Sequence, residues 1–420
     1  MPRRPRAVAY LPHRRRLRQR RVRSRAGRVR GPGRRRPGGV AGEPGQPPAG
    51  LRGVRRTVAG RRTGVDGLTV AHLERAIADG GTGNADVARD LEQRFAAFAG
   101  TARALCVSSG TIALMCALYA VGVRPGQRVA VSVLGPAMTG LAVAAVGATP
   151  VFVDCCSPTS FGLDADALER AARNGVAAAI AVPMWGYWDE DAAALHRLRA
   201  AGVPVILDLA QAPFLRLRQG LSDVADISCF SLHGRKPLKA GEGGVCLTGD
   251  QRLAERILAV RNFGQRAELA GGRLIPAGPF GARFGANAKI NALGAAWCLA
   301  QMDAIDTIRD RHTRLREVAT DLLTATGTTW AEASESDDVV EHGRYGIVAM
   351  CPSPGEARQL AGSLHDDGLE VDSLRYRYAP MTDAPYFARL AAAPCPNARR
   401  LTKTVVACRL EAFASRLPKE

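Results

Sequence analysis

From about residue 104 to residue 249 the chain alternates short, almost wholly apolar runs with stretches of helical apolar spacing. This alternation restricts the fold more than any other feature. ALCVSS (104–109) precedes TIALMCALYAVG, RVAVSVL (128–134) precedes MTGLAVAAVG, and TPVFVD (149–154) precedes DADALERAARNG. AAAIAVPMWG (177–186) then precedes DEDAAALHRLRAAG, which leads to VPVILD (203–208). A strand that is apolar on both faces needs cover on both, and helices between successive strands supply it. The pattern predicts a three-layer α/β/α unit around a mainly parallel sheet, with DISCFSL (226–232) and GGVCLTG (243–249) as two further strands. LTVAHLERAIADG and ADVARDLEQRFAAFAG read as helices ahead of it. One long helical pattern, NALGAAWCLAQMDAIDTIRDRHTRLREVATDLLTA, leads to a smaller C-terminal α/β unit, with RYGIVAMC a strand and GEARQLAGSLHDDG a helix. The expected division is a tail over 1–62, a large domain over 63–320 and a small domain over 321–420.

The formal net charge of +19 looks like a nucleic-acid signal, but it is confined to one segment. Residues 1–62 hold 21 arginines, no lysine and one acid, Glu43; the rest of the chain is close to neutral. That tail is rich in Gly and Pro and poor in large apolar residues, so it is expected to be disordered. It reads as an arm for nucleic acid or an acidic surface, or as the translation of a GC-rich gene from a start codon placed too far upstream. A transit peptide fits poorly with a single serine, Ser24, and no apolar core follows the arginines as in a secretory signal. The neutral body argues against nucleic acid as a partner. No apolar run reaches the length of a membrane span. The ten cysteines, Cys155–Cys156 among them, form no C-x-x-C and read as reduced thiols in a cytoplasmic protein. Histidines are not spaced with Cys or carboxylates as metal ligands are, so no metal is expected.

In a parallel α/β sheet, ligands bind beyond the carboxyl ends of the strands. Three polar groups fall there. Ser108-Ser109-Gly110-Thr111 opens a helix after a strand, which suits either a phosphate or an ordinary Ser/Thr cap. Asp208 ends VILD, and a carboxylate there needs a cationic or hydrogen-bonded partner unless it caps the next turn; Gln211 faces the same space. Lys236 follows DISCFSL after a short loop. It is one of only five lysines among 53 arginines, and a desolvated lysine forms Schiff bases where arginine cannot. By itself it also reads as a solvated loop residue; Lys239 reads as a surface charge. Together the three groups meet the demands of pyridoxal 5'-phosphate: an anchor for the phosphate, an acid for the ring nitrogen, an amine for the aldehyde.

At these residues the sequence resembles the DegT/DnrJ/EryC1/StrS family of pyridoxal-phosphate-dependent sugar aminotransferases, of aspartate aminotransferase fold type I. FAGTARALCVSSGTIAL, GATPVFVD, VPVILDLAQA, CFSLHGRKPLKAGEGG, RNFG and NAKINALGAA carry the resemblance over about 68–310, and RYAPMTDAPYF extends it loosely. The resemblance implies Lys236 as the cofactor lysine and proton shuttle and Asp208 as the partner of the pyridine nitrogen. It implies Gln211 near the ring hydroxyl, and Gly110, Thr111 and Ser231 on the phosphate. Asn287 would reach the phosphate of a neighbouring subunit, which implies a homodimer with shared sites. The reaction implied is transfer of an amino group from glutamate to a keto sugar nucleotide or a keto-cyclitol, in secondary-metabolite or surface-glycan biosynthesis. The sugar-dehydratase branch places His at the lysine, so Lys236 argues against it.

Two departures stand out. Where the family stacks an aromatic on the cofactor ring, this chain has SVLGPAMTG, with Pro136 or Leu134 in the place and Met138 nearby. Where many members have Asn-Tyr-Arg, it has Asn287-Ala288-Lys289. The second bears on substrate or donor contacts; the missing aromatic keeps open a second reading, a partner subunit of the same fold without transaminase activity.

Overall fold

The computed structural model describes residues 66–418 apart from 84, 344, 391 and 392. The Arg-rich tail, with the expectations placed on it, lies outside the described residues. Two helices, α1 (Asp66–Ala78) and α2 (Asp86–Ala99), lead into β1 (Arg103–Val107) and α3 (Gly110–Ala120). Then follow β2 (Arg128–Ser132), α4 (Ala137–Ala145), β3 (Thr149–Val153), α5 (Ala165–Arg173), β4 (Ala178–Ala181), α6 (Ala192–Ala200) and β5 (Val205–Asp208). A short β6 (Arg216–Leu217) and α7 (Leu221–Val224) come before β7 (Ile227–Ser231), β8 (Gly244–Thr248) and α8 (Gln251–Arg261). All seven expected strands of the large unit are present.

They form one sheet in the order β1-β8-β7-β5-β4-β2-β3. Every pairing is parallel except the two made by β8. Alternate residues go to opposite faces. Leu105, Val131, Ile180, Ile206 and Cys229 join a core with α3, α4 and α8. Cys106, Ala130, Ala179, Leu207 and Phe230 join a second core with α2 and α9 (Ala292–Asp303). Both faces are dry, which is why the strands read as unbroken apolar runs rather than alternating ones. Side-chain caps fix where helices start. Asp164 accepts from Ala167 N at 2.6 Å, Asp191 from Ala194 N at 3.0 Å, and Ser109 from Ile112 N at 3.2 Å.

The sequence left 265–286 without structure, yet it holds a hairpin of β9 (Arg266–Ala270) and β10 (Arg273–Ala277). The long helical pattern also breaks in two, at Ala304 (φ −107°, ψ 25°), into α9 and α10 (Ile305–Ala325). The break serves packing: α9 fills the second core, while Leu315, Ala319 and Leu323 of α10 enter a third one. That third core lies under β11 (Ala331–Glu332), β13 (Gly346–Met350) and β14 (Val405–Arg409), with α11 (Pro354–Asp366) against it. A short β12 (Val339–Glu341) pairs instead with β6. The remaining helices are α12 (Asp372–Arg375) and α13 (Pro396–Thr404). The other face of β13 and β14, through Val348, Met350, Val405 and Ala407, packs into the first core. The expected boundary at 320/321 falls inside α10.

Candidate active site

The carboxyl ends of β1, β5 and β7 converge with the N-termini of α3 and α4. At β1, Ser109 caps α3 and its carbonyl accepts the first helical bond, from Ala113 N. The amides of Gly110 and Thr111 precede that bond and lie at the open, positive end of the helix. Gly110 abuts Ser231 at the end of β7. A Cβ on Gly110 would lie 2.9 Å from the Ser231 Cβ, so no larger residue fits without movement. Ser109 is a cap, as one sequence reading has it; Gly110 and Thr111 stand at the open helix end with Ser231 against Gly110, where the other reading puts a phosphate cradle.

Asp208 ends β5 and is 4% exposed. Its Oδ2 accepts from Thr139 Oγ1 at 2.6 Å, and its Oδ1 accepts from Ala210 N at 3.1 Å. Burial pushes its pKa up; these two bonds and the charge of Lys236 pull it back. The Ala210 bond is the local turn that sequence reasoning allowed for. Thr139, fully buried on α4, is a partner that reasoning missed. Gln211 Oε1 accepts from Trp185 N at 2.6 Å, which fixes the amide so that Nε2 is left to donate elsewhere. Trp185 sits at φ 59°, and its carbonyl accepts from Tyr345 N at 2.8 Å.

Lys236 stands in a loop tied to itself by His233. The His233 carbonyl accepts from Lys236 N at 2.8 Å, and Nδ1 accepts from Arg235 N at 3.2 Å. The Lys236 Nζ lies 4.4 Å from the centroid of the Tyr345 ring. Burial brings its pKa down to about 8; Asp208 opposes that, and Arg409 and Arg235 add to it. The same pair, Lys236 and Asp208, thus appears in the electrostatics of each partner. Lys239 differs: its backbone is clamped on both sides by the Gln301 side chain, at 3.1 and 2.7 Å.

Asn287 is exposed, and its Oδ1 accepts from Lys289 Nζ. Its segment runs beside the end of β1, where Ser108 N donates to Ala288 O at 2.9 Å. Within the chain no described bond joins Asn287 to the Asp208–Lys236 group. At the place of the missing aromatic, Pro136 caps α4 half-buried, and Leu134 is buried with its carbonyl accepting from Tyr378 OH at 2.7 Å. Met138 is 56% exposed. Aromatic surface comes instead from Trp185, Tyr345 and Tyr378, the first and last meeting edge to face at 6.1 Å.

A cradle closed by a glycine, a hydrogen-bonded strand-end carboxylate and a desolvated lysine fit pyridoxal phosphate. On this sheet they define a fold type I aminotransferase, the class to which the structural neighbours belong. The chain belongs to the DegT/DnrJ/EryC1/StrS aminotransferase family, whose sequence model matches residues 68–412. It is 30% identical over 342 residues to the L-glutamine:scyllo-inosose aminotransferase of Streptomyces griseus, covering 76% of this chain and 80% of that one. It is 35% identical over 178 residues to a UDP-N-acetyl-3-dehydro-alpha-D-glucosamine 3-aminotransferase of Acidithiobacillus ferrooxidans, covering 42% and 48%. The crystal structure of DesI with its TDP-sugar product superposes with a TM-score of 0.70 at 25% identity, over 82% of this chain and 85% of that one. Among the described residues no helix is long and apolar enough to cross a membrane.

Proposed function

We propose that the chain transfers an amino group from glutamate, or from L-glutamine as in the name of the Streptomyces griseus relative, to the keto group of a cyclitol. A keto sugar nucleotide is the other acceptor of the same chemistry. The cyclitol is favoured because, among the sequence relatives, one named for an inosose matches along most of both chains, while the UDP-sugar relative matches less than half of either. The nearness of Lys236 and Asp208, each acting on the other's charge at the strand ends of one sheet, carries the reading.

Pyridoxal phosphate, when bound, supplies an aldehyde for the amino group and a ring that spreads the charge left by a broken C–H bond. Asp208 would hold a proton on the ring nitrogen, and the bond from Thr139 counters the rise in its pKa that burial causes. Gln211 donates from Nε2 to the ring hydroxyl. The Gly110 and Thr111 amides and the Ser231 hydroxyl hold the phosphate. Lys236 would carry the 1,3-proton transfer, from the carbon on one side of the transferred nitrogen to the carbon on the other; an amine with its pKa at about 8 both takes and gives a proton close to neutral pH. Asn287 acts on the phosphate of a second copy. Phe263, Phe280, Phe284, Leu293 and Trp297 are exposed on the segment around it, an apolar surface that a homodimer would cover.

Purified protein with pyridoxal phosphate is expected to show the absorbance band of the lysine-bound cofactor, and Lys236→Ala is expected to abolish it. A band that persists in Lys236→Ala removes Lys236 from this role. Single-turnover conversion of the bound cofactor to its amine form by L-glutamate or L-glutamine separates a transaminase from an inactive partner subunit. Keto-cyclitols and keto sugar nucleotides offered side by side then decide the acceptor.

A further inference from the structure

The residue before the lysine reaches out of the large unit altogether. Arg235 Nη2 donates to Glu370 Oε1 at 3.0 Å, and its Nη1 donates to Tyr376 OH. Glu370 in turn accepts from Arg409 Nη2 at 2.6 Å. Arg409, at the end of β14, is pinned by the wholly buried Asp372, which accepts from its backbone N at 2.9 Å and from its Nε at 3.1 Å. The next residue, Leu410, donates its N–H to Tyr345 O at 3.2 Å, and the Tyr345 ring lies beside the Lys236 amine. A closed circuit results: Arg235, Glu370, Arg409–Leu410, Tyr345 and back to the amine one residue from the start. In a chain with 53 arginines a guanidinium at 235 says little by its presence. Its partners are what matter, because only a rigid fork reaches two of them at once.

We propose that Arg235 is a positioning residue for Lys236, its guanidinium strapping the lysine loop to Glu370 and Tyr376 of the C-terminal unit and so holding the amine beside the Tyr345 ring. The inference rests on the role of Lys236 proposed above and extends it to the residue that precedes it. Arg235 is partly exposed, so its ion pairs add little to global stability. Their effect is local. The groups that face the amine are Asp208 from β5, Asp372 from α12, Arg409 from β14, Arg235 from its own loop and the Tyr345 ring at the start of β13. Removing the Arg235 charge raises the affinity of the amine for a proton. Freeing the loop admits water and acts in the same direction.

The test is isotopic reductive methylation of the full-length chain, without added cofactor, from pH 6 to pH 10, read at each lysine by mass spectrometry. Lys239, Lys289, Lys403 and Lys419 serve as internal controls. In Arg235→Met the Lys236 midpoint is expected to rise by about half a unit or more, with an almost unchanged melting temperature. Arg235→Lys, which keeps the charge and one tether, is expected to fall between that variant and wild type. A folded Arg235→Met with the wild-type midpoint overturns the proposal. Should Arg235→Met not fold, Arg235→Lys decides: a raised midpoint supports the strap and an unchanged one overturns it. The readout needs no cofactor, so it stands apart from the absorbance test of Lys236 itself.

Discussion

Thr139 Oγ1 donates to Asp208 Oδ2 at 2.6 Å, joining the first turn of α4 to the end of β5. Burial alone would favour the neutral acid at 208, and a neutral acid cannot hold a proton on a pyridine nitrogen. Thr139→Val keeps the shape and removes the donor. Asp208 is then expected to protonate at higher pH, with pyridoxal phosphate affinity and turnover each falling roughly tenfold or more, since a bond to a buried charge is worth about 1.5–3 kcal/mol. Thr139→Ser should restore most of the loss. Cofactor titration by absorbance measures the first effect, and a Thr139→Val protein that binds like wild type would refute the link.

Gly110 and Ser231 meet so closely that a single methyl group tests the cradle. Gly110→Ala places a Cβ 2.9 Å from the Ser231 Cβ, between two of the residues proposed to hold the phosphate. Affinity for pyridoxal phosphate is expected to drop at least tenfold, while affinity for pyridoxal without its phosphate changes little. Comparing the two ligands by fluorescence titration isolates the phosphate. An equal loss for both would mean that the substitution disturbs the ring site instead.

The parts of the candidate site that the sequence made visible are groups that follow apolar runs: Asp208 after VIL, Gly110 and Thr111 after β1, and Lys236 after DISCFSL; Ser231 came only with the family resemblance. Thr139 was hidden because it lies inside MTGLAVAAVG, where a threonine looks like any helix residue, and its partner is 69 residues away. Tyr345 and Trp185 were hidden likewise, since their meeting depends on how β13 packs against the large unit. The β9–β10 hairpin did leave a signal. Gly271 and Gly272, both at positive φ, make the two-residue turn between Ala270 and Arg273. The break at Ala304 left none, having no Gly or Pro. It follows from the demands of two different cores.

Arg261 and Glu92 form an ion pair beneath β1. Arg261 is 4% exposed and donates from Nη1 to Glu92 and, at 2.9 Å, to Cys106 O, while Cys106 N donates to Glu92 Oε1 at 2.8 Å. Loss of Glu92 strands the buried Arg261 charge and the Cys106 N–H. Glu92→Ala is expected to cost about 3–5 kcal/mol, read as a lower denaturant midpoint at unchanged slope. Glu92→Gln, which keeps an acceptor, should cost less. If Glu92→Ala unfolds at the wild-type midpoint, the pair contributes nothing to the fold.

Glu190 gives the chain a pH dependence remote from Lys236. It is buried, with Oε2 accepting from Leu163 N at 2.9 Å and Asp189 and Asp191 as neighbours. Burial first, and those two carboxylates after it, raise its pKa to about 7, against the bond from Leu163, which lowers it. The folded state therefore binds more protons than the unfolded state between the ordinary carboxylate range and pH 7. Stability falls as pH rises through that window, and the penalty is complete above it. Glu190→Gln retains the acceptor for Leu163 N and never ionises. It is expected to be more stable than wild type at pH 8, by on the order of 1–3 kcal/mol, and equal to it at pH 4.5. Chemical denaturation of both proteins at the two pH values checks the sign. A variant no more stable than wild type at pH 8 would mean that Glu190 ionises in the fold without cost.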